Sequence, residues 1–184
     1  MARPRKFTRD AVLDRAVPVF WRRGYAGTNV QELERATGVN KSGLYTEFEG
    51  KEDLFLAALQ RYLDTGPALR LLDQQPLGWA NIERFLAEAP FVMAAQPGCF
   101  AVNVTGEVDC LPSRAADIIR AYNRRRADAI ARNVAAAQPA LDARVTADMI
   151  AAFFIGTCMD VNLDADPAPH RAKVGILMSM LRSL

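Results

Sequence analysis

The sequence is poor in the residues that carry most enzyme and metal chemistry. It has one histidine and three cysteines, Cys99, Cys110 and Cys158, with no CxxC pair. A disulfide framework or a zinc site needs more such residues at closer spacing, so neither is expected, and no cofactor is implied. A catalyst would have to be built from Cys99 or the acids Glu107 and Asp109 without a neighbouring base, which excludes the common nucleophilic constellations. No apolar run reaches the length of a membrane span, and the basic start MARPRKFTRD leads into no apolar stretch of signal-peptide length, so a cytoplasmic protein is expected. Strong charge of either sign is also lacking. The net charge is +2 with 24% charged residues, and 51% of the 184 positions are hydrophobic, ample for the core of one or two domains.

What charge there is lies unevenly: residues 1–51 hold 10 Lys/Arg against 6 Asp/Glu, and the remainder holds 13 against 15. The basic end contains the stretch 28–51, TNVQELERATGVNKSGLYTEFEGK. Thr28 is a fitting N-cap, with Glu32 one place beyond the capping-box position, and Val30, Leu33 and Ala36 recur at helical spacing. Gly38 supplies the left-handed residue that ends this helix, and Val39 plugs the turn. Asn40 then caps a second short helix that turns Leu44 and Phe48 inward and leaves Lys41, Ser42, Gly43 and Tyr45 facing solvent. One lysine, hydroxyls and a glycine that allows close approach suit a groove lined by phosphates and base edges. Two short helices joined in this way form a helix-turn-helix, whose usual partner is the major groove of double-stranded DNA.

The runs Gly24-Tyr25-x-x-Thr28, Ala36-Thr37-Gly38-Val39-Asn40 and Gly43-Leu44-Tyr45-x-x-Phe48-x-x-Lys51-Glu52-x-Leu54 resemble the N-terminal domain of the tetracycline-repressor (TetR) family of transcriptional regulators, over about residues 7–62. The resemblance implies an all-α protein. A three-helix helix-turn-helix DNA-binding domain would occupy 7–62, and a helical ligand-binding and dimerisation domain 63–184. It further implies a homodimer joined through the last two helices, a pseudopalindromic operator, no membrane, and a repressor released from DNA by a small-molecule effector. An activator, or an electrophile or redox sensor acting through Cys99, is the alternative. Phosphate contacts are implied for Thr28, Tyr45 and Lys51, and places at or near base edges for Asn40, Lys41, Ser42 and Gly43. Two residues depart from the family pattern. Glu34 stands where a small alanine is usual, and Glu47 where an aromatic or histidine commonly approaches the backbone. An acid repels a phosphate, so no contact is carried onto Glu47.

The remaining chain reads as further helices. The first spans 8–23, with Pro18 expected to kink it and Gly24-Tyr25 ending it. A helix over 51–72 should be interrupted at Pro67, and one over 77–95 disturbed at Pro90, before a turn at Gln96-Pro97-Gly98. Residues 99–108 are β-branched enough for a strand but have none to pair with, so a short helix is expected. Helices over 112–138, stopped by Pro139, then 141–162 and 170–184 complete the chain.

The basic arm 2–6 could reach a phosphate or the minor groove. Arg120, Arg124, Arg125, Arg126 and Arg132, interleaved with Asp117 and Asp128, read as a solvated or inter-subunit salt-bridge face. Asn103 and Glu107, at i and i+4, project together towards an effector or a structural network, and His170 reads as a solvated cap residue. Phe85, Met93, Cys99, Asn103, Tyr122, Phe153 and Cys158 are the candidates for lining a partly apolar effector pocket.

Overall fold

The computed structural model describes residues 7–92, 96, 98–138 and 140–184. The basic arm 2–6, Met93, Pro97 and Pro139 lie outside the described residues. Among those described there is no strand, and the helices are α1 (Arg9–Gly27), α2 (Val30–Thr37), α3 (Lys41–Glu47), α4 (Lys51–Thr65), α5 (Pro67–Leu72), α6 (Trp79–Glu88), α7 (Phe100–Val104), α8 (Ser113–Ala137), α9 (Ala143–Asp160) and α10 (Pro167–Ser183). No helix among them is long and apolar enough to cross a membrane.

Helix limits follow local chemistry, with several departures from expectation. Thr8 caps α1 through its hydroxyl, which accepts from the Ala11 amide. The helix passes through Pro18 without leaving helical geometry and breaks at Gly24, where its end is expected, with a φ of 72° and ψ of 180° open only to glycine. The cap of α2 is Asn29, one residue later than Thr28, and this shift completes a capping box. The Asn29 side chain accepts from the Glu32 amide at 3.0 Å, and the Glu32 carboxylate accepts from the Asn29 amide at 3.3 Å. The long helix expected after Lys51 divides at Gly66, with Pro67 in the first turn of α5, where proline's missing amide costs nothing. The helix expected over 77–95 is confined to α6, and Pro90 sits in a single 3-10 turn, Ala89–Phe91. Within 99–108 the chain is helical rather than extended, as expected, with α7 followed by a 3-10 turn at Thr105–Glu107.

The chain forms two compact units, Met1–Thr65 with Asn103–Ile119, and Gly66–Val102 with Arg120–Leu184. The first therefore takes in a stretch, 103–119, that the sequence places with 63–184. Its core gathers Phe20, Leu33, Leu44, Phe48, Leu54, Phe55 and Leu59, all essentially without exposure. Phe20 meets Phe55 edge-on at 5.1 Å, and Trp21 meets Tyr62 at the same distance.

In the second unit Phe85 stacks on Phe154 at 4.7 Å, among buried Ile82, Leu86, Ile130, Val134, Ile150 and Met178. Three sequence expectations are corrected there. α10 starts at Pro167, capped by Asp166, so His170 lies inside the helix. His170 is buried, and its Nε2 lies 2.7 Å from the Leu86 carbonyl. Burial of the ring pushes its pKa down, and the cations Lys173 and Arg171 push the same way against the Leu86 bond. Arg126 is buried as well, while Arg132 reaches Asp73 at 2.6 Å and Arg144 pairs with Asp128. The face of α8 that carries Arg126 is therefore core, because Tyr122, Arg126, Ala129, Ile130 and Asn133 follow one another at helical spacing and are all buried.

Candidate nucleic-acid interface

A seven-residue helix such as α3 has no stability of its own in water, so its orientation is set by what grips it. Gly38 takes the left-handed conformation (φ 72°, ψ 15°) and returns its amide to the Glu34 carbonyl at 2.9 Å. Val39 is then driven into the core at 5% exposure. The Thr37 hydroxyl donates to the Leu33 carbonyl and accepts from the Val39 amide, and Arg15 closes the end of α2 by donating to the Thr37 carbonyl at 3.0 Å.

Two side chains hold the start of α3. Asn40 accepts from the Gly43 amide at 2.9 Å, and Glu34 accepts from the Lys41 amide at 2.5 Å. The acid that departs from the family pattern is thus an additional cap on the second helix. At the far end Arg9 donates to the Glu47 carbonyl at 2.7 Å and lies 4.2 Å from the centre of the Phe48 ring. Leu44 and Phe48 are the anchors, at 1% and 2% exposure.

What this grip leaves outside is Lys41, Ser42, Tyr45 and Thr46. The Lys41 ammonium lies 5.8 Å from the centre of the Tyr45 ring, so the two project together one helical turn apart. Asn40 is exposed but its amide oxygen is committed to the cap. Gly43 is half-buried rather than solvent-facing. A Cβ there would lie 2.8 Å from the Val39 side chain, so glycine lets α3 begin tight against the turn.

Two of the expected phosphate-binding residues are engaged inside the unit. Thr28 is buried, and its hydroxyl donates to the Gly24 carbonyl at 2.6 Å. The Lys51 ammonium donates to the Tyr25 and Thr28 carbonyls at 2.9 and 3.0 Å and lies 4.5 Å from the centre of the Tyr25 ring. Lys51 therefore ties the start of α4 to the turn between α1 and α2. Hydrogen bonds from a charged donor contribute about 2 kcal/mol net, so Lys51→Ala is expected to lower the melting temperature by several degrees. An unchanged melting temperature with weakened binding to every duplex would show the ammonium to be a phosphate contact instead. The grips supplied by Arg9, Arg15 and Glu34 escape sequence reasoning, because each joins residues that only the fold brings together.

The expected pocket residues divide between the units. Phe85, Cys99, Tyr122 and Cys158 are buried in the second, Phe153 is half-buried there, and Asn103 belongs to the first. Glu107, the proposed companion of Asn103, accepts from the Ala26 amide at 3.0 Å and lies against Gly24, which makes it part of a structural network. Gly98, at φ 98°, lets the chain pass close to α9, since a Cβ there would lie 2.8 Å from the Asn162 side chain and 3.0 Å from the Cys158 carbonyl. This brings Cys99 beside Cys158. Burial raises the Cys158 thiol far above its usual range, the Cys99 thiol adds to the rise, and Arg126 opposes it.

Residues 12–58 match the model of bacterial regulatory proteins of the tetR family. The chain is 39% identical over 107 residues to the HTH-type transcriptional repressor ComR of Escherichia coli K12, covering 55% of this chain and 51% of ComR. It is 41% identical over 61 residues to the HTH-type transcriptional activator FasR of Mycolicibacterium smegmatis, covering 33% of this chain and 28% of FasR. The chain thus spans about half the length of ComR and less than a third of FasR in these matches. Among solved structures, a cysteine mutant of the TetR-family regulator CifR in complex with a 26-base-pair operator matches at 27% identity, covering 97% of this chain and 98% of that chain, with a TM-score of 0.81.

Proposed function

Because this chain belongs to the tetR family of DNA-binding transcriptional regulators, we propose that it is a homodimeric repressor that releases its operator when a small molecule binds the second unit. The observation that carries this reading is the outward face of α3. Lys41, Ser42 and Tyr45 stand free in solvent on a short helix fixed from behind at both ends, and so are available to phosphates and base edges. Thr28 and Lys51 hold the frame behind that face. Two copies would enter successive major grooves of a pseudopalindromic site, about 34 Å apart.

Dimerisation through the last two helices is supported by what those helices leave uncovered. Met149 and Met159 on α9, and Ile176 and Met180 on α10, are each at least 60% exposed, more apolar surface than a lone chain usually leaves in water. Gly156 and Gly175 have open space where a side chain would stand, which allows a second copy to approach closely. A protein that reads chromosomal DNA works in the cytoplasm, and no catalytic step is required of it. The sign of regulation depends on where the operator lies, and the FasR match favours an activator as the second reading. Cys99 and Cys158 are buried, which favours a ligand-gated switch over one gated by electrophiles.

Selection of genomic fragments at controlled salt, followed by binding measured by fluorescence anisotropy, tests the reading. The double variant Lys41→Ala/Tyr45→Ala should bind its selected site roughly 100-fold more weakly, at about 1–3 kcal/mol for each contact, with an unchanged melting temperature because both side chains are exposed. Lys41→Ala alone should flatten the salt dependence by about one unit if its ammonium meets a phosphate. Unaltered binding by the double variant would remove α3 from the interface.

A further inference from the structure

Among the described residues, the second unit contains a cation with no counter-ion. Arg126 is only 2% exposed, and its Nε has no hydrogen-bond acceptor. Its guanidinium lies 4.8 Å from the centre of the Phe154 ring and 5.9 Å from that of Tyr122. The ion pairs found among the described residues leave Arg126 out. An arginine cannot shed its proton to escape burial, as a lysine or histidine can. Aromatic faces compensate a buried guanidinium in part, but its in-plane N–H donors still require acceptors. The Cys158 thiol close by does not supply a negative charge, since burial holds it in the neutral form.

We propose that Arg126 anchors the effector of this regulator, and that the effector is a small organic acid whose carboxylate accepts from the guanidinium while its apolar body lies against Tyr122 and Phe154. A planar, two-oxygen acceptor matches the donor fork of arginine, and the aromatic and thiol neighbours match an apolar remainder. The proposal rests on the ligand-responsive reading above and narrows it to one chemical class. Phosphate and sulfonate groups share the same acceptor chemistry, so the test separates them from carboxylates.

The experiment uses the full chain, as wild type and as Arg126→Met, with a series of probes: octanoate, benzoate and 4-phenylbutyrate, their primary amides, and inorganic phosphate. Replacement of an unpaired buried charge by an apolar side chain of similar length should leave the ligand-free melting temperature equal or higher. At least one carboxylate should stabilise the wild type while its amide does not, with a loss of affinity of tenfold or more in Arg126→Met. A steep fall in the ligand-free melting temperature of Arg126→Met would overturn the proposal, because the guanidinium would then already have a partner in the assembly, such as a carboxylate from a second copy. Equal shifts from acids and amides, equal responses from the two proteins, or Arg126-dependent stabilisation by phosphate alone would overturn it too. Operator binding is followed in parallel. If both proteins hold DNA and a neutral compound releases it, the Arg126 proposal fails by itself. If neither holds DNA while Arg126-dependent carboxylate binding is observed, it is the regulator reading that fails.

Discussion

Alanine at position 24 is expected to destabilise the first unit by roughly 3 kcal/mol, lowering its melting temperature by roughly 10 °C or more. The backbone at Gly24, with φ 72° and ψ 180°, lies in a region that side chains essentially exclude, and holding any other residue there costs about 1–3 kcal/mol. There is also no room. A Cβ would lie 1.5 Å from the Glu107 Oε1, so the carboxylate must move and the Ala26 amide loses its acceptor. The turn that follows depends on the same geometry, because the Gly24 carbonyl takes the Thr28 hydroxyl and the Tyr25 carbonyl takes Lys51. Thermal unfolding of Gly24→Ala, Glu107→Ala and the double variant checks this. The Glu107 substitution should cost far less in the alanine background than in the wild type, since the contact is already lost. A single variant that melts within a degree of the wild type would show that the turn relaxes without strain. Operator binding should weaken in parallel with stability, because the same turn leads into α2.

The boundaries of α2 and α3 were legible because they are set by residues within three or four positions of one another. Gly38 ends α2, Asn40 caps α3, and Leu44 and Phe48 face inward as their spacing requires. The Asn29-x-x-Glu32 box lies in the sequence as well, and a cap at Thr28 would start α2 one residue too early. Illegible were the contacts made across distance. Nothing local to Glu107 indicates that it will meet Gly24, and nothing local to Glu34 that it will cap α3. Arg126 was concealed by its neighbours. Among six arginines on one helix only the position in step with Tyr122, Ala129 and Asn133 turns inward, and that spacing becomes a signal only once the buried stripe of α8 is known.

That stripe gives the other large effect. Asn133→Leu is expected to destabilise the second unit by about 4 kcal/mol, although it replaces a polar side chain with an apolar one in a site of zero exposure. All of the Asn133 amide is used. Its nitrogen donates to the Leu72 and Ala129 carbonyls at 2.7 and 2.9 Å, and its oxygen accepts from the Gly78 amide at 2.9 Å and from Asn81 at 3.0 Å. Leucine would leave the Leu72 carbonyl and the Gly78 amide without these partners, and each orphaned buried group costs about 1–3 kcal/mol. Asn133→Asp keeps the shape and the acceptor but turns a carboxylate oxygen towards two carbonyls. Only its protonated form can donate there, so the folded-state pKa rises above the unfolded value of about 3.9. Stability is then fullest at low pH and is lost as pH rises through the folded pKa, so the deficit of the aspartate variant should shrink as pH falls from about 7 to about 5, while that of the leucine variant relative to wild type should not. Equal deficits at both pH values would mean that the carboxylate finds another donor. Because Asn133 fixes the same face of α8 that carries Arg126 two turns earlier and Tyr122 three turns earlier, either substitution should also weaken any Arg126-dependent binding of carboxylates.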